Sequence, residues 1–346
     1  AITLAAARPT EELPASLWVG WRGSAWDRFA EQQLGEALTF LSDSDRASHI
    51  GILRRLRRRI AAEKAPICLV LMGRWAHLAA NFISLRSGPG VSFVSTVRTS
   101  RPLPWLYHRS IRRSRLLIAN SHWVLSRIPQ MKRRQRPIKS HVIHNGLSRP
   151  ELLEIPEKKA GAAAAAKPRI ILLNVARLDP GKGQEDLIRM LPRIRRPGVE
   201  LWLAGTGPET DRLKALCTEL GLRNKVRFRG FIEDVASLYA AADIFVSASQ
   251  LDSLPNAVIE AQAAALPVVA YDNFGLPEIV SSGTSGYLCR EHSPDALAER
   301  VTALIDAPAQ RLAFGRAGRA QAITAFLSAT QNHLFCELIQ QVSAAE

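Results

Sequence analysis

What most constrains this chain is a repeated unit: a short apolar run, a loop rich in glycine, proline and charge, then a helical pattern. In the second half the runs are Ile170–Val175, Glu200–Ala204, Val226–Arg229, Ile244–Ser247 and Pro267–Ala270, with helices expected from Gln184, Glu209 and Asn256. Strands alternating with helices predict α/β units built on parallel sheets. The first half repeats the pattern more loosely. Strands are expected at Ile2–Ala6, Ile67–Met72, Val91–Val97, Leu116–Ala119 and His141–Ile143, and helices near Trp26–Leu41, Ile50–Ala62, Ala76–Leu85 and Ser121–Arg127. Between the halves, Glu157 to Pro168 is a low-complexity stretch holding five consecutive alanines, which reads as a linker. The expected organisation is a domain at 1–150, a linker at 151–167, a second domain at 168–318 and a terminal helix at 319–346 packing back towards the first domain. Two doubly wound domains facing each other enclose a cleft, and ligands bind beyond the carboxyl ends of such strands.

Four loops of the second half fall at those strand ends. Ala176 to Gly183 sets Arg177 and Lys182 on a Gly/Pro loop leading into a helix. Two cations beside a helix N-terminus suit a diphosphate, although an ordinary turn with solvated cations looks the same. Gly205-Thr206-Gly207-Pro208 allows close backbone approach to a ligand, with Pro208 suited to the first helical position. Gly230-Phe231-Ile232 is a candidate edge at which the backbone could read a base, although a phenylalanine so placed is more often simply core. The fourth loop carries the most weight, because Asp252 lies in a loop and Glu260 eight positions on lies within a helix starting near Asn256. Carboxylates so placed accept hydrogen bonds from sugar and ribose hydroxyls, and the helix start at Leu254 to Asn256 offers N–H groups to phosphate.

Residues from about Pro168 to Ile305 resemble the donor domain of glycosyltransferase family 4, retaining enzymes with the GT-B fold of two Rossmann-like domains. The matching pieces are Arg177 with Lys182, Gly205 with Gly207, Gly230 with Phe231, Asp252 with Glu260, and Gly275-Leu276-Pro277-Glu278. The resemblance implies that Arg177 and Lys182 neutralise a donor diphosphate, that Glu260 holds the ribose, and that Asp252 holds the transferred sugar. It implies no cofactor and no metal, the donor being a UDP- or GDP-linked sugar. Two positions depart from the family: Asp252 replaces a glutamate, and Phe274 stands where the first of two paired glycines is usual.

The first half resembles the family's acceptor domain at Ser114 to Ser121 and Val142 to Gly146. Arg98 follows the strand ending at Val97, where many members carry histidine, and as a cation it donates to a sugar hydroxyl or phosphate. The family opens with a strand, a Gly-rich loop and a helix. Here Ile2–Ala6 reads as the second strand, so that opening unit is expected to be absent.

Charge separates the halves further. Residues 1–150 hold 25 Lys+Arg against 8 Asp+Glu, and the remainder holds 21 against 23. The excess gathers at Arg54 to Arg59, Arg109 to Arg115 and Lys132 to Arg136, a distribution that attracts an anionic membrane or a phosphorylated glycan. No recognised motif for specific nucleic-acid binding accompanies it. Asp43-Ser44-Asp45 reads as a solvated loop, and Trp75 and Trp105 as channel or core residues. Four scattered cysteines, no leader pattern and no long apolar run favour a cytoplasmic protein, at most peripheral on the inner face of the cell membrane. The expected function is transfer of a sugar from a nucleoside diphosphate sugar to a glycan or lipid-linked acceptor in lipopolysaccharide or other envelope polysaccharide synthesis. A nucleotide-binding member without transfer activity and a nucleotide-sugar epimerase are the rival readings.

Overall fold

The computed structural model describes residues 91–129, 132–133, 136–157 and 169–344. Before residue 91 it describes 3–5, 17–19, 38–40 and 67–72, with positions 54, 58, 60, 76, 77, 80 and 81. The expected Asp43 to Asp45 loop, Trp75 and most of the linker lie outside the described residues, as do most of the helices expected near Ile50–Ala62 and Ala76–Leu85. The chain forms two compact units: Ala1–His144 with Asn332–Glu346, and Asn145–Gln331.

The first unit contains β1 (Thr3–Ala5), β2 (Leu17–Val19), β3 (Leu38–Phe40), β4 (Ile67–Met72), β5 (Val91–Val97) and β6 (Leu116–Ala119). The short β7 (Lys132–Arg133) and β8 (Arg136–Pro137) form a pair, and β9 (Lys139–Val142) follows. Its main sheet runs β1-β4-β5-β6-β9. All its pairings are parallel except β1 with β4, which is antiparallel. Thus the run at Ile2–Ala6, expected as a member of a parallel sheet, is instead an antiparallel edge strand. The helix expected near Trp26–Leu41 is corrected at its end, where Leu38–Phe40 is a strand paired in parallel with β2, and residues 26–37 lie outside the described residues. Leu-Thr-Phe suits a pleated surface, and this tertiary pairing outweighs a weak helical period.

Two short helices follow, α1 (Trp105–Ile111) and α2 (His122–Ser126). The Ser121 side chain caps α2 by accepting from the Val124 N–H. Beneath α1 lies a buried polar group that the sequence did not reveal. His77 Nε2 is 3.1 Å from the Thr96 carbonyl oxygen, Nδ1 is 2.6 Å from Ser110 Oγ, and the ring stacks on Tyr107 at 4.2 Å. Burial pushes the His77 pKa down to about 4, with the Thr96 carbonyl pulling weakly the other way. The lowered pKa favours the neutral imidazole, whose two ring nitrogens lie against the Thr96 carbonyl and the Ser110 oxygen, while the Ser110 hydroxyl donates to the Tyr107 carbonyl at 2.8 Å.

The second unit holds a six-stranded sheet, all parallel, of β10 (Ile170–Val175), β11 (Val199–Ala204), β12 (Val226–Gly230), β13 (Ile244–Ser247), β14 (Val268–Tyr271) and β15 (Gly286–Cys289). Both faces are covered, which is why the strands read as continuous apolar runs. The covering helices are α3 (Gln184–Met190), α4 (Thr210–Glu219), α5 (Val235–Ala241), α6 (Asn256–Ala263), α7 (Leu276–Ile279), α8 (Pro294–Asp306) and α9 (Pro308–Ala325). Residues from 319 onwards do not form one helix. α9 ends before Phe326, and α10 (Ser328–Ala344) begins after it. Phe326 is fully buried, and its carbonyl accepts from the Leu147 N–H, which fixes the break. Further along α10, Phe335, Leu338, Ile339 and Val342 pack against Val70, Val94, Leu116 and Ile118 of the first sheet.

The strand order is β12-β11-β10-β13-β14-β15, so the chain winds outward from β10 in one direction and from β13 in the other. Loops leaving the carboxyl ends of β10 and β13 therefore turn to opposite faces and open a crevice between them. Asn174 ties these two strands side by side, its amide donating to the Val246 carbonyl at 2.8 Å.

Candidate functional site

The loop after β10 carries Arg177 and Lys182, and the loop after β13 carries Asp252 and leads into α6. Glycines hold the two loops against each other. Gly181 and Gly183 adopt φ of +82° and +74°, and a Cβ on Gly183 would lie 2.0 Å from the Ala248 carbonyl oxygen. The Gln250 N–H donates to the Gly181 carbonyl at 2.7 Å. These contacts bring Lys182 Nζ to 2.5 Å from Asp252 Oδ1, while the Ser249 hydroxyl donates to Asp252 Oδ2 at 2.8 Å. The family resemblance implies phosphate for Lys182 and sugar for Asp252; the structure joins the two side chains as an ion pair across the switch point.

Arg177 sits on the same loop with its side chain 73% exposed, 2.8 Å from Asp179. Gly205 and Gly207 serve this loop. At φ +134°, a Cβ on Gly205 would lie 2.0 Å from the Ala176 carbonyl oxygen, and one on Gly207 would lie 2.2 Å from that of Leu178. Leu178 also exchanges backbone hydrogen bonds with Thr206 and Glu209. The close approach that demands glycine is thus to neighbouring backbone, which accounts for both residues without a ligand. Pro208 is not the first helical residue; it lies in the turn ahead of Thr210, where α4 begins.

Phe231 is not core. It is 76% exposed at the end of β12, whereas Ile232 packs partly against the apolar cluster. An aromatic face held in solvent beside a strand end suits stacking on a planar ring. Leu254 is buried and contributes its carbonyl, which accepts from Asn145 Nδ2 at 3.0 Å; the same amide is 2.6 Å from Asn256 Oδ1. Asn145 therefore anchors the start of α6, a role legible only as part of the His144-Asn145-Gly146 triplet.

Glu260 faces inward from α6. Its Oε1 accepts from the Ser148 hydroxyl at 3.1 Å and lies 3.7 Å from Arg149 Nε, and its Oε2 accepts from the Tyr239 hydroxyl at 3.0 Å. Burial holds its pKa above the ordinary carboxylate value, against the pull of Tyr239, Ser148 and Arg149. Ser148, Arg149 and Tyr239 escaped the sequence reading because Tyr239 looks like an ordinary core aromatic and the other two lie ahead of the linker. Downstream, the Gly275 N–H donates to the Ser253 carbonyl at 3.0 Å, and Phe274 takes a φ of +49°. The position where the family carries glycine thus retains the left-handed backbone that glycine favours. Arg98 lies in the first unit, exposed at the end of β5. Trp105, read as channel or core, is 68% exposed at the start of α1.

Residues 156–321 match the family model of glycosyl transferases group 1. This segment is a glycosyltransferase group 1 domain. Among curated proteins, a GDP-mannose-dependent monoacylated alpha-(1-6)-phosphatidylinositol monomannoside mannosyltransferase of Corynebacterium glutamicum is 35% identical over 156 residues, 42% of this chain and 40% of the relative. The lipopolysaccharide core biosynthesis glycosyltransferase LpsE of Rhizobium meliloti is 32% identical over 135 residues, 39% of each chain. The matched part therefore spans less than half the length of either relative. Over a longer span the fold matches Anabaena Alr3699/HepE, solved in complex with UDP, at a TM-score of 0.75 and 21% identity, covering 94% of this chain and 92% of that one. Sucrose-phosphate synthase of Thermosynechococcus elongatus matches at 0.70 and 21% identity, covering 91% and 83%. The group 1 domain thus belongs to an α/β fold of parallel sheets shared with GT-B glycosyltransferases.

Proposed function

We propose that the chain is a retaining, metal-independent glycosyltransferase of family 4, moving a sugar from a UDP- or GDP-linked donor to a glycan or lipid-linked acceptor. The observation that carries this reading is the placement of Arg177, Lys182, Phe231, Asp252, Asn256 and Glu260 beyond the carboxyl ends of one sheet, on loops or a helix that follow three strands, β10, β12 and β13. In this reading Phe231 and Ile232 border the base, and Glu260 accepts from the ribose hydroxyls. Arg177, Lys182 and the N–H groups opening α6 face the diphosphate. The new bond joins the acceptor oxygen to the anomeric carbon as the bond from that carbon to the diphosphate oxygen breaks. The acceptor proton passes to the departing diphosphate on the same face, and the protein supplies positioning and positive charge. No cofactor is required.

The acceptor belongs with the basic first unit, where Arg98, Arg101, Arg109 and Arg112 are exposed near Trp105 in the chain. No helix among the described residues is long and apolar enough to cross a membrane. Surface attachment to an anionic membrane, at its cytoplasmic face, is the form of contact proposed, in lipopolysaccharide or other envelope polysaccharide synthesis. Flotation with anionic but not neutral vesicles, lost at high salt, is the expected result; equal recovery with both would remove the membrane from the reading.

The donor site is tested by thermal shift of the wild type and Glu260→Ala with UDP, GDP, ADP and their sugar conjugates. Ligand at about 100 times Kd stabilises by about 2.7 kcal/mol, so one nucleotide should stabilise the wild type and far less the variant. No shift with any nucleotide would overturn the assignment. Retention is read from the anomeric NMR signals of the first product formed.

A further inference from the structure

The Lys182–Asp252 pair has a geometry that a simple sugar contact does not require. Asp252 Oδ1 is 2.5 Å from the ammonium and Oδ2 is occupied by the Ser249 hydroxyl, so both carboxylate oxygens point back into the two loops. The backbones of those loops are locked by the Gln250–Gly181 hydrogen bond and by the approach of Gly183 to Ala248. Both side chains are about a quarter exposed, 21% for Lys182 and 27% for Asp252, so the pair borders solvent at the mouth of the crevice. A cation in that position has two possible anionic partners: its own carboxylate and an incoming phosphate.

We propose that Asp252 is a positioning residue that acts on nucleotide through Lys182. It places the ammonium at the switch point and competes with the diphosphate for it, so it sets how long nucleotide is held and not which sugar is chosen. The proposal rests on the donor-site reading above. Its consequence is greatest after transfer. A free nucleoside diphosphate carries one more ionisable oxygen than the sugar-linked form, and Lys182 would hold it more firmly if nothing drew the ammonium back. Asp252, fixed on the neighbouring loop, does so and speeds release.

The test is a double-mutant cycle by isothermal titration calorimetry, with UDP and GDP alone and with their sugar conjugates. The proteins are the wild type, Asp252→Asn, Lys182→Gln and the double variant. Asp252→Asn should tighten binding of the free nucleoside diphosphate about two- to fivefold, the scale of a partly exposed charge contact. A merely structural residue would not tighten binding when altered. Lys182→Gln should weaken binding, and in that background Asp252→Asn should change affinity by less than about twofold. Asp252→Glu, which keeps the charge, should restore near wild-type affinity. Ser249→Ala, which loosens the carboxylate, should shift affinity in the direction of Asp252→Asn by a smaller factor. Weaker binding of the sugar nucleotide by Asp252→Asn, with free diphosphate unaffected, would make Asp252 a sugar contact and overturn the proposal. An equal effect of Asp252→Asn in both Lys182 backgrounds would do the same. Absence of nucleotide binding by the wild type would instead sink the donor-site reading, and this proposal with it.

Discussion

Acid should weaken the first unit through His77. The imidazole is fully buried, and its pKa falls from 6.5 to about 4 because burial disfavours the charged ring. The unfolded chain therefore binds a proton at higher pH than the folded one. The contribution of His77 to stability is complete above about pH 6.5, falls as pH drops through the window, and is gone by about pH 4. The 2.5 pH units between 6.5 and 4 correspond to about 3 kcal/mol, at about 1.4 kcal/mol per unit. Glu260 works in the opposite direction, because its raised pKa favours the folded state as acid is added. The comparison that isolates the histidine is thus wild type against His77→Gln, by urea unfolding between pH 7 and pH 4. The wild type should lose about 3 kcal/mol more than the variant across that interval, and the His77 ring protons should titrate below pH 5 by NMR. Parallel pH profiles for the two proteins, or a ring titrating near 6.5, would refute the reasoning.

Two further changes probe the loops. Gly205→Ala forces a Cβ to within 2.0 Å of the Ala176 carbonyl oxygen at a left-handed φ, so the Arg177 loop must shift by roughly 1 Å. Transfer should fall about 100-fold in kcat/KM, with a lower Tm, and unchanged values for both would show that the loops are not coupled. Ala265 closes α6 in a Schellman arrangement at φ +56°, with the Leu266 N–H on the Ala261 carbonyl and its own N–H on that of Gln262. Ala265→Gly should therefore raise stability by about 0.5–1 kcal/mol, and a lower Tm would count against it.

The legible parts of the chain were those whose physics is local. Ile170–Val175 and Ile244–Ser247 fold within the bounds read from the sequence, because an apolar run stopped by glycine, proline or charge has one good solution in a covered parallel sheet. The start of α6 at Asn256 also falls where the sequence places it. What escaped depends on distant partners. Nothing near Leu38–Phe40 signals its pairing with β2, and nothing in the spacing of Lys182 and Asp252 signals that they meet. Phe231 misled because its type suggests core, whereas exposure is decided by what lies opposite a strand end. The partners of Glu260 come from both sides of the linker, at Ser148, Arg149 and Tyr239, beyond the reach of any periodicity. Gly205 and Gly207 mark a tight approach in the sequence, but the surface approached is the neighbouring loop.

That backbone-to-backbone contact has a consequence for how such a site can diversify. Because Gly183, Gly205 and Gly207 fix the loops through main-chain atoms, the frame around the crevice does not depend on which side chains it carries at positions 177, 231 or 252. New binding properties can then be sampled by point substitution on a standing scaffold, with each trial altering chemistry at the rim while leaving the strand ends in register. A combinatorial library restricted to those three positions should keep most of its members folded, whereas one that includes the three glycines should lose most of them.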